Sequence, residues 1–132
     1  MSLHETWRTR KYWGTIGGLL IEEFVSVDSN KEQGRRPIDG IIVLGEKKAI
    51  HSGNKYDLKG KDVIVIQTKK GRIGMNLLGQ TYFSKFLIKK HSPRSIKTVA
   101  ICGRNDKVMA EFAEEHEVEI IVYPESYKTL KF

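Results

Sequence analysis

Three short runs of β-branched residues constrain the fold of this 132-residue chain more than any other feature. They lie at residues 38–45, 62–68 and 95–102. Val, Ile and Thr favour strands because their side chains pack well on a pleated surface. Residues 77–90, between the second and third runs, place apolar side chains at helical spacing and precede a Ser-Pro stop. Strands that alternate with helices predict a mixed sheet with helices on its faces.

Other segments complete the expected order of elements. Residues 13–27 carry four apolar side chains at helical spacing, which predicts a first helix. Residues 47–51 are expected to form a hairpin partner for the first strand. Asn105 or Asp106 can cap a third helix, and residues 118–123 predict a final strand. The same order is also compatible with a small flavodoxin-like or swapped-order α/β domain, so it does not decide function.

The charge is distributed unevenly along the chain. The net charge is +7, but residues 1–104 carry +11 and residues 105–132 carry −4. A basic body favours polyanions such as nucleic acid as partners. A basic surface without a function would give the same composition.

The composition, 39% hydrophobic and 30% charged, is that of a globular chain. No apolar run approaches the roughly 20 residues that span a bilayer, so no membrane partner is expected. Cys102 is the only cysteine and cannot form an internal disulfide, which favours a reducing, cytoplasmic setting. Residues 1–12 are interpreted as a tag remnant followed by a basic, aromatic arm, and residues 13–132 as a single domain.

Polar side chains interrupt two of the predicted strands. Asp39 begins the first run, and Gln67 and Lys69 end the second. Residues two apart in a strand share a face, so Gln67 and Lys69 are expected to point the same way. If the two strands pair as a hairpin, a carboxylate, an amide oxygen and an ammonium group converge. Taken singly, a strand-start Asp is more often a turn residue and a strand-end Lys is more often solvated.

This set of groups suits hydrolysis of a phosphodiester. Asp39 would hold Mg²⁺, which prefers few carboxylates and several waters, and Gln67 would add a neutral oxygen ligand. The metal would lower the pKa of a bound water, while Lys69 would orient that water or neutralise developing charge. Glu23, on the buried side of the predicted first helix, is the candidate for a second metal-binding carboxylate, with Glu22 as the alternate.

Two short motifs resemble the PD-(D/E)xK nuclease superfamily, which has the restriction-endonuclease-like fold. Pro37-Ile38-Asp39 resembles its Pro-Asp segment with one residue inserted, and Gln67-Thr68-Lys69 resembles its Asp/Glu-x-Lys strand end. Residues 80–84 resemble the Gln-x-x-x-Tyr of RecB-like members, with Ser84 in place of Tyr. The resemblance covers about residues 13–90. It implies an α/β fold in which a central mixed β-sheet is flanked by helices on both faces.

The resemblance also implies a set of site residues. Many members place a Glu on the first helix, a role that falls to Glu23 or Glu22 here, and Gln80 joins the catalytic set. Gln67 departs from the acidic residue of the motif, but Mrr-like restriction enzymes are similar in using Gln at that place. Gln at position 67 removes one negative charge from the motif. Metal binding is therefore expected to be weaker unless Glu23 or Glu22 supplies the missing charge.

The expected cofactor is Mg²⁺ or Mn²⁺, and the expected partner is DNA. Lys70, Arg72 and Arg36 are predicted to contact nucleic acid. The basic loop that follows the motif is about equally compatible with a turn that only faces solvent. Many small members of the fold act as dimers, which leaves a homodimer open.

Three functions follow from these observations. The first is a metal-dependent endo- or exodeoxyribonuclease that uses Asp39, Gln67 and Lys69 with a helix Glu. The second is a non-catalytic nucleic-acid-binding module of the same fold, motivated by the neutral Gln67. The third is a small α/β protein that binds another protein through its acidic C-terminal segment. The sequence leaves the form of the nucleic acid open.

Overall fold

The chain forms one six-stranded mixed sheet with three helices in a computed structural model that describes residues 3–124. The α/β class is therefore confirmed. In chain order the elements are α1 (Leu3–Ile16), β1 (Leu19–Val27), β2 (Arg36–Val43), β3 (Ala49–His51), β4 (Asp62–Arg72), α2 (Met75–Lys89), β5 (Ser95–Arg104), α3 (Lys107–Glu115) and β6 (Val118–Val122).

The strands lie in the order β3-β1-β2-β4-β5-β6. β2 is antiparallel to both of its neighbours, β1 and β4, whereas β4, β5 and β6 run parallel. The first residues of β2 therefore lie at the same end of the sheet as the last residues of β4. This topology brings the two polar interruptions of the sequence to one place.

Alternate residues of β4 supply two separate cores. Val63 and Val65 pack with Ile88 of α2 on one face, and Ile64 and Ile66 pack with Tyr12 of α1 on the other. Because successive side chains of a strand point to opposite faces, a strand buried on both sides becomes a continuous apolar run. Helices α2 and α3 cover the first face and α1 covers the second, so the sheet has helices on both faces.

Several predicted elements are confirmed, with ends that differ from the predicted ones by at most four residues. They are the strands at 38–45, 62–68, 95–102 and 118–123, the helix at 77–90 and the helix that follows Asp106. Asp106 is the N-cap of α3, since its side chain accepts hydrogen bonds from the backbone N–H groups of Val108 and Met109.

The prediction of a helix at residues 13–27 is wrong. Residues 13–16 end α1, and residues 19–27 are strand β1. Gly17 and Gly18 have φ values of 82° and 80°, and Gly17 N–H donates to the carbonyl oxygen of Trp13, which ends the helix. The apolar residues of β1 are buried on both faces of the sheet, so they show no strand-like alternation and fit a helical spacing by coincidence.

The hairpin predicted for residues 47–51 is also wrong. β3 (Ala49–His51) pairs in parallel with β1 and not with β2. Residues 3–12 belong to α1, in which Trp7 and Tyr12 are buried. None of the helices within residues 3–124 combines the length and apolar composition that crossing a membrane would require.

Candidate functional site

Strands β2 and β4 separate at the point where the polar residues begin. Their pairing ends at Gly40 and Ile66. Beyond that pair, the backbone N–H of Asp39 donates to Oε1 of Gln67 (3.3 Å), and the backbone N–H of Thr68 donates to Oδ2 of Asp39 (2.9 Å). Two side chains thus replace the next backbone hydrogen bonds between the strands, so Asp39 and Gln67 are held together. The predicted convergence with the Lys69 ammonium stays a prediction.

The orientation of the Gln67 amide is set by helix α2. Ser84 Oγ–H donates to the carbonyl oxygen of Gln80 (2.5 Å), and Gln67 Nε2 donates to Ser84 Oγ (2.9 Å). Because the hydroxyl hydrogen of Ser84 is already engaged, its oxygen must face a donor, which is the NH₂ of Gln67. The amide oxygen of Gln67 is therefore directed towards Asp39. Only 7% of Gln67 is exposed, which holds this orientation.

The environment of Asp39 opposes its negative charge. Burial raises the pKa of the Asp39 carboxyl, the hydrogen bond from Thr68 lowers it, and the negative charges of Glu23 and Glu5 raise it further, with a net upward shift. A carboxylate held at an unfavourable place beside other carboxylates is a common feature of functional sites. A bound cation would reverse this electrostatic balance.

The structure changes the surroundings of the two predicted glutamates. Glu22 and Glu23 lie on strand β1 and not on a helix, so their expected placement is wrong. Both carboxylate oxygens of Glu22 accept hydrogen bonds from the guanidinium of Arg10 (2.8 and 2.9 Å). This ion pair joins Glu22 to helix α1. Glu23 has a φ of 52°, a strained value for a residue with a side chain, and its charge acts on Asp39.

Two residues that act on Asp39 or Gln67 were not among the predicted site residues. Glu5, in the first turn of α1, is the acidic residue of the first helix, and its charge acts on Asp39. It lies within residues 1–12, the predicted arm, where polar residues hide the helical pattern. Ser84, which orients Gln67, is buried despite being polar. The sequence places Ser84 four residues after Gln80, on the face of α2 that packs on the sheet, and this spacing could have indicated its role.

Basic side chains surround the open end of β4. Lys69 and Arg72 line a shallow cleft of about 240 Å³ with the start of α2, whose N-cap, Gly74, provides no side-chain hydrogen bond. Lys70 is exposed on the same strand end, and Arg36 is exposed at the start of β2. The side chain of Gln80 is exposed on α2, and Gln80 is linked to Gln67 through its backbone carbonyl and the hydroxyl of Ser84.

The donor set can be compared with the requirements of a metal. Within residues 3–124 no three His, Cys, Asp or Glu side chains come close enough to form a metal-binding group. Asp39, Glu23 and the amide oxygen of Gln67 are a smaller set of hard oxygen donors, which suits Mg²⁺ because that ion keeps several waters. The described residues thus offer hard oxygen donors at this place but no assembled group of three metal-binding side chains.

Searches against protein-family models, curated proteins and solved structures found no match to this chain.

Proposed function

We propose that this protein is a metal-dependent nuclease of the restriction-endonuclease-like fold that hydrolyses phosphodiester bonds of DNA. The observation that carries the proposal is the position of Asp39. Its carboxylate lies where β2 and β4 separate and accepts a hydrogen bond from Thr68 N–H, and its backbone N–H donates to the amide oxygen of Gln67. The negative charges of Glu23 and Glu5 also act on this carboxylate.

Each residue has a distinct proposed role. Asp39 and Glu23 would hold Mg²⁺ or Mn²⁺, with the oxygen of Gln67 as a neutral ligand. Such an ion, when bound, polarises a phosphodiester and lowers the pKa of a water. Lys69, exposed beyond Gln67 on the same strand, would neutralise charge that develops on the phosphate. Lys70, Arg72 and Arg36 would hold the nucleic-acid backbone through charge.

The adjacent lysines of β4 provide a test with a matched control. Lys69→Ala should lower the rate of Mg²⁺-dependent cleavage of a DNA duplex by about 10²–10³-fold, the typical effect of removing one group that stabilises transition-state charge. Lys70→Ala removes the same charge one residue away, on the opposite side of the strand. It should weaken DNA binding while leaving the rate at saturating DNA nearly unchanged. Equal rates for Lys69→Ala and wild type would contradict the assigned role.

The second candidate is a nucleic-acid-binding module that retains the fold without cleaving. A specific observation favours it, since both ends of the Gln67 amide already have hydrogen-bond partners within the protein. In this case the site carries one negative charge fewer than an Asp/Glu-x-Lys motif. The basic side chains at this end of the sheet would then bind the nucleic acid.

This candidate makes a separable prediction. Wild-type protein should bind DNA in EDTA, and the affinity should fall steeply between 50 and 200 mM salt because phosphate contacts release counterions. Gln67→Glu should then gain metal-dependent cleavage, since the hydroxyl of Ser84 can rotate to donate to a carboxylate. Fluorescence anisotropy and a cleavage assay on the same DNA measure both properties. Absence of binding at low salt would exclude this candidate.

A further inference from the structure

A polar cleft adjoins the site at Asp39. It has a volume of about 580 Å³, and its lining includes Glu23 of β1, Arg35 before β2, and Ser52 and Asn54 after β3. The residues on either side of Glu23 pair with those on either side of Asp39 in β2, so the two acidic residues lie opposite each other. The strained backbone of Glu23, with a φ of 52°, therefore lies between the cleft and Asp39, and such strain concentrates at functional sites.

The loop after β3 is held in place at both of its ends. The backbone N–H of Val25 donates to the backbone carbonyl oxygen of Asn54 (2.9 Å), so the chain continues alongside β1 beyond the last residue of β3. Nε2 of His51 donates to the carbonyl oxygen of Lys55 (2.9 Å), and Lys55 forms an ion pair with Asp28 (2.8 Å). A loop that is already ordered loses little conformational entropy when it binds a ligand.

Three side chains of the cleft carry hydrogen-bonding groups that no other residue between positions 3 and 124 engages. They are the guanidinium of Arg35, the hydroxyl of Ser52 and the amide of Asn54, and all three residues are exposed. A guanidinium binds phosphate through charge-assisted hydrogen bonds, and hydroxyl and amide groups bind the polar edges of nucleobases. The cleft therefore offers groups for both parts of a nucleotide.

The size of the cleft limits what it can hold. Its volume lies within the roughly 300–1,000 Å³ that is typical of sites for small molecules, which suits one nucleotide but not a duplex. A base that is stacked and paired cannot enter such a space, whereas an unpaired base can be bound through its free edge.

We infer that this cleft binds one unpaired nucleotide of the DNA, next to the phosphodiester that lies at Asp39. The inference rests on the proposed function and adds the form of the substrate. Arg35 binds a phosphate of this nucleotide, and Ser52 and Asn54 bind its base. The preferred DNA therefore carries a single-stranded segment, such as an overhang, at the point of cleavage.

Fluorescence anisotropy in EDTA, which prevents cleavage, tests the cleft without catalysis. Arg35→Ala/Asn54→Ala should weaken binding of a short single strand about 30-fold or more, the combined effect of one charged and one neutral hydrogen bond. Binding of a blunt duplex of the same sequence should weaken less than about threefold, since a duplex makes neither bond in the cleft. The backbone carbonyl of Asn54, which positions the loop, is unchanged in this variant.

Lys47→Ala/Asn105→Ala is the matched control for the binding experiment. Both residues are exposed, with Lys47 in the turn between β2 and β3, at the far end of β1 from the cleft, and Asn105 after β5. This variant loses the same charge and the same amide outside the cleft. Equal losses on the single strand and the duplex, or losses no larger than those of the control, would overturn the inference.

Cleavage with Mg²⁺ tests whether the cleft acts together with Asp39. Wild type should cut a duplex with a single-stranded overhang at least about tenfold faster than a blunt duplex, and Arg35→Ala/Asn54→Ala should lose most of this preference. A preference that persists in the double variant would contradict the inference. If wild type cuts no DNA, the nuclease function fails, whereas the anisotropy result still decides whether the cleft binds an unpaired nucleotide.

Discussion

Asp39→Asn should abolish metal-dependent cleavage and stabilise the protein at the same time. Loss of the charged ligand removes several kcal/mol of metal-ion catalysis, which corresponds to a rate lower by at least about 10³-fold. The stability should rise because Asn keeps an oxygen that accepts from Thr68 N–H but carries no charge into this buried place. Stabilising substitutions of this kind commonly give about 0.5–2 kcal/mol.

The pH dependence of this gain follows from the raised pKa of Asp39. The folded protein holds the Asp39 proton more tightly than the unfolded chain, where the pKa of Asp is about 3.9. The stability that this proton contributes is fully present when the pH is below the unfolded-state pKa. It is lost as the pH rises through the raised pKa of Asp39 in the folded protein. The variant should therefore melt at a higher temperature than wild type at pH 7, and the two should converge below pH 4.

Thermal melts with and without Mg²⁺ distinguish the stabilisation by bound metal from the stabilisation that follows removal of the Asp39 charge. Millimolar Mg²⁺ should raise the melting temperature of wild type, because a ligand that binds only the folded state stabilises it, and should leave Asp39→Asn unchanged. Asp57→Asn is the matched control, since Asp57 is exposed and its carboxylate likewise accepts a backbone N–H, from Lys59. If Asp39→Asn were less stable than wild type at pH 7, the conclusion that the negative charge of Asp39 destabilises the folded protein would be contradicted.

Gly40→Ala should destabilise the protein by about 1–3 kcal/mol, the cost of overfilling a well-packed core. A Cβ at Gly40 would lie 2.7 Å from the Cγ2 methyl of Thr9 and 3.5 Å from Leu20. Thr9 is buried in α1, and Gly40 forms the last backbone pair of β2 with β4. The missing side chain therefore lets α1 pack closely against the strand position next to Asp39.

Urea denaturation measures this effect. Gly14→Ala is the control, because a Cβ there meets nothing within 4 Å and the position lies in α1. Its free energy of unfolding should rise by about 0.5–1 kcal/mol, since Ala loses less conformational entropy in a helix than Gly. Similar changes for both variants would show that the close contact with Thr9 has no energetic consequence.

The sequence predicted the strands correctly wherever burial on both faces produced a continuous β-branched run. It failed for residues 13–27 because β1 is buried in the same way but contains Glu22 and Glu23, which interrupt the run and leave apolar residues at helical spacing. It also missed most of α1, whose buried residues include Thr6 and Thr9 and therefore show no apolar stripe.

The assignment of Asp39 to one strand and of Gln67 and Lys69 to another could be made from the sequence alone, because polar residues within β-branched runs are conspicuous. Only the tertiary structure decided what surrounds Asp39. Glu5 comes from a helix that the local pattern does not indicate, and Glu23, which the sequence placed on a helix, lies on strand β1. The charges of both residues act on Asp39 through space. The turn of Gln67 towards Asp39 likewise depends on Ser84 of a helix packed across the sheet, a long-range contact that no local pattern records.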